Sequence, residues 1–336
     1  MFLLLFGFSN MLSNAVVAQV PHRSFDRVSF SNGHAVASYN SETAEIDTFL
    51  ERSYRFLEPL NPDAADLCFS AIESRDLLFD AYFGVRSSDG TVVSEWLAEL
   101  PLPADASAQP ALLLGTGILE TAQLARTDDL IVRTFSFFPM ALASPTLVQM
   151  LEVTNNGSAA LDVTAFSLMN AHLGDAFGGR EPTSINEQVI FDETRQAFYE
   201  FSDDSQGTMA YVALSNVAHA TASSGAAGGY TQFLAGAELD DNKNTIGAVD
   251  DVTPAFQGQT LTLGPGEQAS FAVAMVWALD EDEAPDVDAL LAFWTSRGAN
   301  ERLFCKPRQK TGTTGIRRRL LASILRCGET QTRPYV

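Results

Sequence analysis

The sequence has few cysteines and histidines, and it contains no recognisable catalytic motif. Its three cysteines show no C-x-x-C spacing, which argues against both a zinc ribbon and a disulfide framework. The four histidines show neither H-x-H nor H-E-x-x-H spacing, so a zinc enzyme is not indicated. A G-x-S-x-G elbow, a G-x-G-x-x-G loop and a P-loop are all missing. Nothing therefore points to a serine hydrolase or to nucleotide binding.

Basic residues are also scarce over most of the chain. The formal net charge is −21, from 42 acidic and 21 basic residues. Residues 1–301 hold 12 of the basic and 41 of the acidic residues, and Lys243 is their single lysine. Such a surface repels a polyanion, so we expect no nucleic-acid partner. A strongly acidic, lysine-poor chain suits a salty or extracellular setting.

Residues 302–336 differ sharply from this pattern. They contain nine basic residues, one acid (Glu329) and two of the three cysteines. Three interpretations stay open: a basic, partly disordered tail; a non-native continuation, as after a frameshift near Glu301; or a basic amphipathic helix around Arg317–Arg326 that contacts a membrane surface. No other stretch reaches the roughly 20 apolar residues of a transmembrane helix, so we expect no other membrane contact.

Residues 1–18 resemble a secretory signal peptide. Met1–Phe8 is almost wholly apolar, and the small residues of Val16–Ala18 permit cleavage after Ala18. A positively charged start is missing, because the first basic residue is Arg23. The alternatives are a first apolar strand or a wrongly assigned start. We expect a secreted or periplasmic protein, with a cytoplasmic location as the alternative.

Short apolar or alternating runs, separated by turn signals, fill residues 26–285. The signals recur about every ten residues, which is typical of a sandwich or barrel and not of a βαβ fold. Turn residues at 32–33, 87–90 and 155–157 predict hairpins, the last between strands at 146–154 and 161–169. We therefore predict an all-β fold, a large antiparallel two-sheet sandwich.

One helix is predicted after the strands, at 286–298. Asp286 can serve as its N-cap, and Gly298 suits the position just past its end. Leu290, Phe293 and Trp294 share one face by their spacing. A lone helix after an all-β domain often carries the chain into a further domain. We therefore interpret this segment as a linker helix.

Tryptophan rings are the first candidates for a binding function, because apolar ring faces stack on the C–H faces of sugars. Trp277 lies at the end of an apolar strand and Trp294 on the apolar face of the helix, so both are expected in the core. Trp96 lies in a more polar context, after Ser94 and Glu95. It is the predicted exposed ring for carbohydrate binding.

A calcium loop is the second candidate. Asp240, Asn242, Asn244 and Asp251 occupy positions 1, 3, 5 and 12 of a calcium-loop frame. The glycine expected at position 6 is replaced by Thr245. The alternative interpretation is a solvated acidic loop. No cofactor other than calcium is indicated.

Titratable residues offer a third possibility but no assigned catalytic residue. His172 follows a predicted strand near Asp175, where a mutarotase-like acid–base pair is conceivable; a hydrogen-bonded histidine at a strand end is the alternative. Inverting sugar hydrolysis needs two carboxylates about 6.5–9.5 Å apart. Residues 1–301 contain 41 acidic residues, so the sequence alone does not identify which two would form such a pair. The acids considered are Glu120, Glu152, Asp175, Glu181, Glu187 and Asp192.

Six short stretches resemble the N-terminal β-sandwich of bacterial and archaeal glucoamylase-type enzymes, glycoside hydrolase family 15. The resemblance covers about 26–300 and rests on strand order and short phrases, with no catalytic signature. The stretches are Ser31–Asn40, Tyr82–Arg86 leading to Glu95–Leu97, Leu130–Phe137, Leu151–Ser158, Gln188–Tyr199 and Leu263–Phe271.

The resemblance implies a supersandwich, also similar to galactose-mutarotase-like folds, then a linker helix and an (α/α)₆ barrel. In that family the barrel carries both catalytic glutamates, which release glucose from α-glucan ends with inversion. No position here matches the barrel motifs, so no catalytic residue is carried over. The implied protein is a non-catalytic domain, truncated before its barrel and inactive alone, whose contact with α-glucan or oligosaccharide is made through that barrel. The alternatives are a free-standing secreted carbohydrate-binding or structural sandwich and, less favoured, a mutarotase-like epimerase.

Overall fold

The computed structural model describes thirteen segments of the chain. They are residues 19–21, 27–31, 34–40, 45–51, 77–100, 111–113, 117–171, 173, 187–202, 207–223, 228–244, 252–278 and 284–296. The predicted signal peptide before residue 19 and the basic tail at 302–336 lie outside them. Both therefore stay predictions.

Strands dominate these segments. They are β1 (Gln19–Pro21), β2 (Arg27–Ser31), β3 (Ala35–Asn40), β4 (Glu45–Glu51), β5 (Leu78–Ser88), β6 (Val92–Trp96), β7 (Ala111–Leu113), β8 (Ile118–Ala125), β9 (Leu130–Phe137), β10 (Thr146–Asn155), β11 (Leu161–Ala171), β12 (Glu187–Asp192), β13 (Ala197–Ser202), β14 (Thr208–Ala213), β15 (Val217–Thr221), β16 (Ala255–Gly258), β17 (Leu261–Leu263) and β18 (Gln268–Ala278). The helices in the described segments are a short 3₁₀ turn (Leu97–Glu99), α1 (Gly229–Leu234) and α2 (Val287–Ser296).

The strands form two antiparallel sheets. Sheet A has the order β1-β7-β8-β9-β10-β18-β14-β13-β12. Sheet B has the order β15-β16-β11-β5-β4-β3-β2, with β17 paired to β11 and β6 paired to β5. The predicted all-β, antiparallel two-sheet sandwich is confirmed. None of the helices in the described segments is long and apolar enough to cross a membrane.

The main core lies between the sheets and follows from the two-residue period of the strands. On β10, Leu147 and Leu151 join the inter-sheet core, while Val148 and Met150 join a second cluster on the opposite face. Successive side chains of a strand point to opposite faces, so a strand that is apolar at both positions must be covered on both sides. Sheet A is therefore buried on its inner and its outer face at its centre.

Two of the predicted hairpins are confirmed. β2 pairs with β3 across residues 32–33, and β5 pairs with β6 across 89–91. In the second turn, Ser88 Oγ accepts a hydrogen bond from the backbone N–H of Gly90, whose φ of 111° favours glycine. Local turn chemistry was sufficient to identify both.

The hairpin predicted around residues 155–157 is wrong, although both of its strands form. β10 pairs with β9 and β18 in sheet A, whereas β11 pairs with β5, β16 and β17 in sheet B. The intervening segment therefore crosses between the sheets. Buried Asn155 holds this corner, because its Nδ2 donates to the carbonyls of Ala159 and Leu263, both at 2.8 Å.

Helix α2 covers the outer face of sheet A. Its N-cap is Asp286, whose Oδ1 accepts a hydrogen bond from the backbone N–H of Ala289 at 3.0 Å. Val287, Leu290 and Trp294 are buried in the outer cluster of sheet A. The helix lies within the predicted 286–298 span, and its role as a linker stays a prediction. The sheet side of this cluster combines four alanines with larger side chains, among them Phe135, Phe137 and Met150.

Arg195 fixes the start of α2 to sheet A. Its guanidinium forms a two-pronged ion pair with Asp288, with Nε–Oδ1 2.9 Å and Nη2–Oδ2 2.8 Å, and its Nη1 donates to Asp192 Oδ2 at 2.8 Å. These residues line an open depression of about 670 Å³ that also includes Tyr199 and Pro285. The turn between β12 and β13 is thereby tied to the first turn of α2.

Candidate functional site: an aromatic patch on the outer face of sheet B

The outer face of sheet B carries a cluster of four aromatic rings, here called the aromatic patch: Tyr82, Trp96, Tyr230 and Phe233. Trp96 lies at its centre. Its ring centroid is 4.1 Å from that of Phe233, 5.2 Å from that of Tyr82 in an edge-on contact, and 5.6 Å from that of Tyr230. The patch combines β5, β6 and α1.

The expectation that Trp96 is exposed is wrong. Its relative exposure is 0%, because rings from α1 and β5 surround it. A fully buried ring cannot present a face to a sugar. Trp277 and Trp294 are buried, as expected for core residues. If the patch binds sugar, another of its rings must make the contact.

Gly84 makes the close packing of the patch possible. It pairs with Trp96 across β5 and β6. A Cβ atom at this position would lie 2.5 Å from Trp96 Cε3 and 2.9 Å from Phe233 Cζ, well inside van der Waals contact. The glycine therefore allows both rings to lie directly on the strand.

Tyr82 and Tyr230 are the rings of the patch that reach the surface, and Tyr230 is the one on α1. It is half-buried and lies nearly parallel to Trp96, at an interplanar angle of 5°. Its hydroxyl donates a hydrogen bond to Oε1 of exposed Glu99. That bond, followed by partial burial, raises the pKa of Tyr230 to about 12. The phenol is therefore protonated, and the pair intact, at neutral pH.

Three carboxylates, here called the acidic rim, lie beside the patch: Glu45, Asp80 and Glu99. Burial raises the pKa of Tyr82 well above its usual value, and the nearby charge of Asp80, followed by smaller effects of Glu45 and Glu99, raises it further. These three acids lie on β4, β5 and the 3₁₀ turn. A half-buried tyrosine pair thus lies beside several carboxylates.

Arg86 attaches α1 to sheet B. Its Nη2 donates to the carbonyl oxygens of Phe233 (3.3 Å) and Ala237, and its Nη1 lies 3.7 Å from Glu238 Oε1. Its Cζ also lies 4.6 Å from the centroid of the Phe166 ring. A buried cation is costly unless it is paired, and here carbonyls, a carboxylate and two rings satisfy it. Arg86 positions the helix and does not face a ligand.

Sequence reasoning missed the part of the patch that lies on α1. The sequence patterns do not predict the six-residue helix that carries it. Tyr230, Phe233 and Leu234 have the i, i+3, i+4 spacing of one helical face, but six residues are too few for a convincing period. By contrast, the phrases Tyr82–Arg86 and Glu95–Leu97, which carry the family resemblance, both lie at the patch.

The predicted calcium loop continues directly from α1. Asp240 Oδ1 accepts hydrogen bonds from Thr221 Oγ1 (2.6 Å) and the backbone N–H of Asn242 (3.1 Å), whereas Asn244 Oδ1 accepts one from the N–H of Phe191 at 2.9 Å. Asp240 thus contacts β15, and Asn244 contacts β12. Asp251 lies outside the described residues, so calcium binding stays a prediction.

His219 and Asp241 form an ion-pair geometry beside this loop. Nδ1 of the histidine lies 2.8 Å from Oδ2 of the aspartate, whose Oδ1 accepts from the backbone N–H of Ala220. The loop therefore covers an edge strand of sheet B, which would otherwise expose unpaired backbone groups. His172, proposed from sequence as a mutarotase-like residue, lies outside the described residues. No group of three or more His, Cys, Asp or Glu side chains in the described segments is arranged to hold a metal.

Two of the sequence-selected carboxylates come together on the outer face of sheet A. Glu120 and Glu152 flank Arg133, whose Nε lies 4.0 Å from Glu120 Oε1. Burial raises the pKa of both carboxyls, and the nearby arginine offsets part of that effect. Glu187 accepts a backbone hydrogen bond from Val252, and Asp192 binds Arg195. Asp175 and Glu181 lie outside the described residues.

The two groups of carboxylates differ in their surroundings. Arg133 lies between Glu120 and Glu152 and stabilises their negative charge. The aromatic patch has the opposite character: a rigid ring at the surface with carboxylate oxygens next to it. Such a surface can stack on an apolar face of a ligand and accept hydrogen bonds from its hydroxyl groups.

No protein-family model and no curated protein matches this sequence. Solved structures do match it by fold. A bacterial glucoamylase complexed with acarbose aligns with a TM-score of 0.51 at 8% identity, over 88% of this chain and 36% of the glucoamylase. A polysaccharide lyase aligns with a TM-score of 0.42 at 12% identity, over 76% of this chain and 34% of the lyase. A galactose mutarotase related enzyme from Lactobacillus acidophilus aligns with a TM-score of 0.42 at 7% identity, over 77% of this chain and 99% of the enzyme.

The similarity to the glucoamylase is one of fold. At 8% identity it carries no residue assignments. The present chain spans little more than a third of the length of that enzyme, while nearly nine-tenths of the chain is used in the alignment.

Proposed function

We propose that this chain is the non-catalytic β-sandwich domain of a glucoamylase-like glycoside hydrolase that acts on α-glucans. The catalytic barrel of that enzyme lies outside the 336 residues. The observation that carries the proposal is the unequal coverage: 88% of this chain aligns with 36% of a bacterial glucoamylase. The rest of that glucoamylase has no counterpart in this alignment.

Several carboxylates of the sandwich have cationic partners within it. Glu120 and Glu152 flank Arg133, and Asp192 pairs with Arg195. Helix α2 follows the last strand of sheet A and is fixed at its start by Arg195. In this proposal, the helix is the linker to a following domain.

The gene itself provides a direct test of this proposal. We expect an open reading frame with barrel-like helical repeats when the genomic region beyond codon 301 is sequenced and translated in all frames. The composition change near Glu301 makes a shifted frame the first place to look. Two results together would contradict the proposal. One is that no neighbouring reading frame encodes such helices, and the other is that the chain alone hydrolyses α-glucan.

A further inference from the structure

We propose that the aromatic patch is a binding site for a neutral glucan chain, with the Tyr230 ring as the stacking surface and Glu99 as an acceptor for sugar hydroxyls. The choice of glucan rests on the proposed function. The site itself follows from the contacts on the outer face of sheet B. It differs from the site predicted from sequence, in which Trp96 was the exposed ring.

The Tyr230 ring is held in place before any ligand arrives. One of its faces is covered by Trp96, and Trp96 is in turn packed against Phe233 on the same helix. The phenol oxygen is fixed by its hydrogen bond to Glu99. Tyr230 is half-buried, so part of this residue stays accessible to solvent. Since little side-chain freedom remains to be lost, stacking on this ring carries a small entropic cost.

The groups beside the ring match the chemistry of a sugar. A pyranose has C–H faces that stack on an aromatic ring and a rim of hydroxyls that need acceptors. Glu99 is exposed and accepts one hydrogen bond from Tyr230; a carboxylate has about four acceptor positions, so it retains capacity for a sugar hydroxyl.

The acidic rim narrows the choice of sugar. Asp80 is two residues before Tyr82 on β5, Glu45 precedes the Ile46 that pairs with Ala81, and Glu99 accepts from Tyr230, so three carboxylates lie beside the patch. The net charge of −21 adds a repulsive field for any polyanion. Uronic acid chains and sulfated glycans are therefore disfavoured, and a neutral chain is favoured. Along an α-glucan, apolar C–H faces alternate with hydroxyl groups. This pattern matches the Tyr230 ring with the Glu99 carboxylate beside it.

Equilibrium titration of the purified full chain with maltoheptaose tests the site, with trigalacturonate as the charged counterpart. We expect maltoheptaose to bind and trigalacturonate not to bind. Tyr230→Ala should weaken maltoheptaose binding by at least about tenfold, which corresponds to about 1.4 kcal/mol. Tyr230→Phe keeps the ring, loses only the bond to Glu99, and should retain affinity within about threefold.

Tyr199→Ala is the matched control, because Tyr199 is another half-buried tyrosine, on the outer face of sheet A. It should bind like the wild-type chain, and circular dichroism with thermal melting should show that all variants are folded. The site is overturned if the wild-type chain does not bind maltoheptaose, if Tyr230→Ala binds equally well, or if Tyr230→Phe loses as much affinity as Tyr230→Ala. Hydrolysis of maltoheptaose by the chain would overturn the proposed function instead, and the effect of Tyr230→Ala on affinity would still decide the site.

Discussion

The two sheets cover their outer faces in different ways. On sheet A, the ten-residue helix α2 joins an outer cluster of alanines and larger apolar side chains, and its capping aspartate and the ion pair with Arg195 fix its start. On sheet B, the six-residue helix α1 lies on large rings and is attached by buried Arg86.

The two outer faces differ in the side chains beside the covering helix. On sheet A, the outer cluster mixes alanines with larger side chains such as Phe135 and Met150. On sheet B, α1 packs its rings against Trp96, and Tyr230 lies beside Glu99. Each face has a half-buried tyrosine beside carboxylates, Tyr199 on sheet A and Tyr230 on sheet B, and we assign recognition to sheet B because Tyr230 is stacked on Trp96.

The largest expected effect on the aromatic patch comes from Phe233→Ala. Phe233 is fully buried and contacts both Trp96 and Phe166, so its removal leaves a cavity and should lower the free energy of unfolding by about 3–5 kcal/mol. Because α1 also carries Tyr230, maltoheptaose affinity should fall as well. Urea unfolding and the sugar titration measure the two effects.

Leu234→Ala is the control for this variant. Leu234 is the next residue on α1 but is 43% exposed, so its truncation should change stability by no more than about 0.5 kcal/mol. Equal losses for the two substitutions would show that α1 is not packed on sheet B as described.

A core substitution under α2 should separate stability from binding. Leu290 is fully buried in the outer cluster of sheet A, and Leu290→Ala should cost about 2–4 kcal/mol of unfolding free energy. Maltoheptaose affinity of the folded variant should stay unchanged, because the ring that binds lies on the other sheet. Thr295→Ala, at an exposed position of the same helix, should alter neither quantity. A loss of affinity in Leu290→Ala would contradict the assignment of recognition to sheet B alone.

The smallest expected effect is that of Arg195→Ala, and it depends on pH. Hydrogen bonds from Arg195 hold the pKa of Asp192 and of Asp288 below the usual 3.8. A carboxyl with a lowered folded-state pKa contributes stability above its unfolded pKa and loses it as the pH falls through the lowered value. The variant should therefore melt slightly below the wild type at pH 7, since exposed ion pairs contribute little.

The difference in melting temperature between Arg195→Ala and wild type should vanish as the pH is lowered well below 3.8. Thr194→Ala, an exposed neighbour in the same turn, leaves the ion pairs of Arg195 intact and should follow the wild-type curve at every pH. A gap between Arg195→Ala and wild type that persists in acid would show that the arginine acts through packing and not through its ion pairs.

The class of fold could be predicted from sequence because strand alternation and turn residues are local signals. The hairpins at 32–33 and 87–90 were identified in this way. The partner of a strand is not local, as the corner at Asn155 shows. The same Asn-Gly phrase suits a tight turn or a crossing between sheets, and the choice is made by hydrogen bonds to Leu263, more than a hundred residues away.

The candidate site was less predictable than the fold. Trp96 was identified as important, but whether a tryptophan is exposed depends on what covers it, and the cover comes from Tyr230 and Phe233 on a helix too short to show a period. Gly84 illustrates the same limit: its lack of a side chain is essential only because two distant rings meet above it. A turn can be predicted from the residues that form it. Packing between segments that are far apart in the chain cannot be predicted from the residues next to the packed side chain.

The most direct test of the central claim, that this sandwich is a companion of a catalytic domain and not an enzyme, is a glucose-release assay with the purified full chain and maltoheptaose. We predict no glucose above the substrate blank, over times and protein concentrations at which an intact glucoamylase consumes the substrate completely. Sustained release of glucose in proportion to the amount of chain would contradict the account.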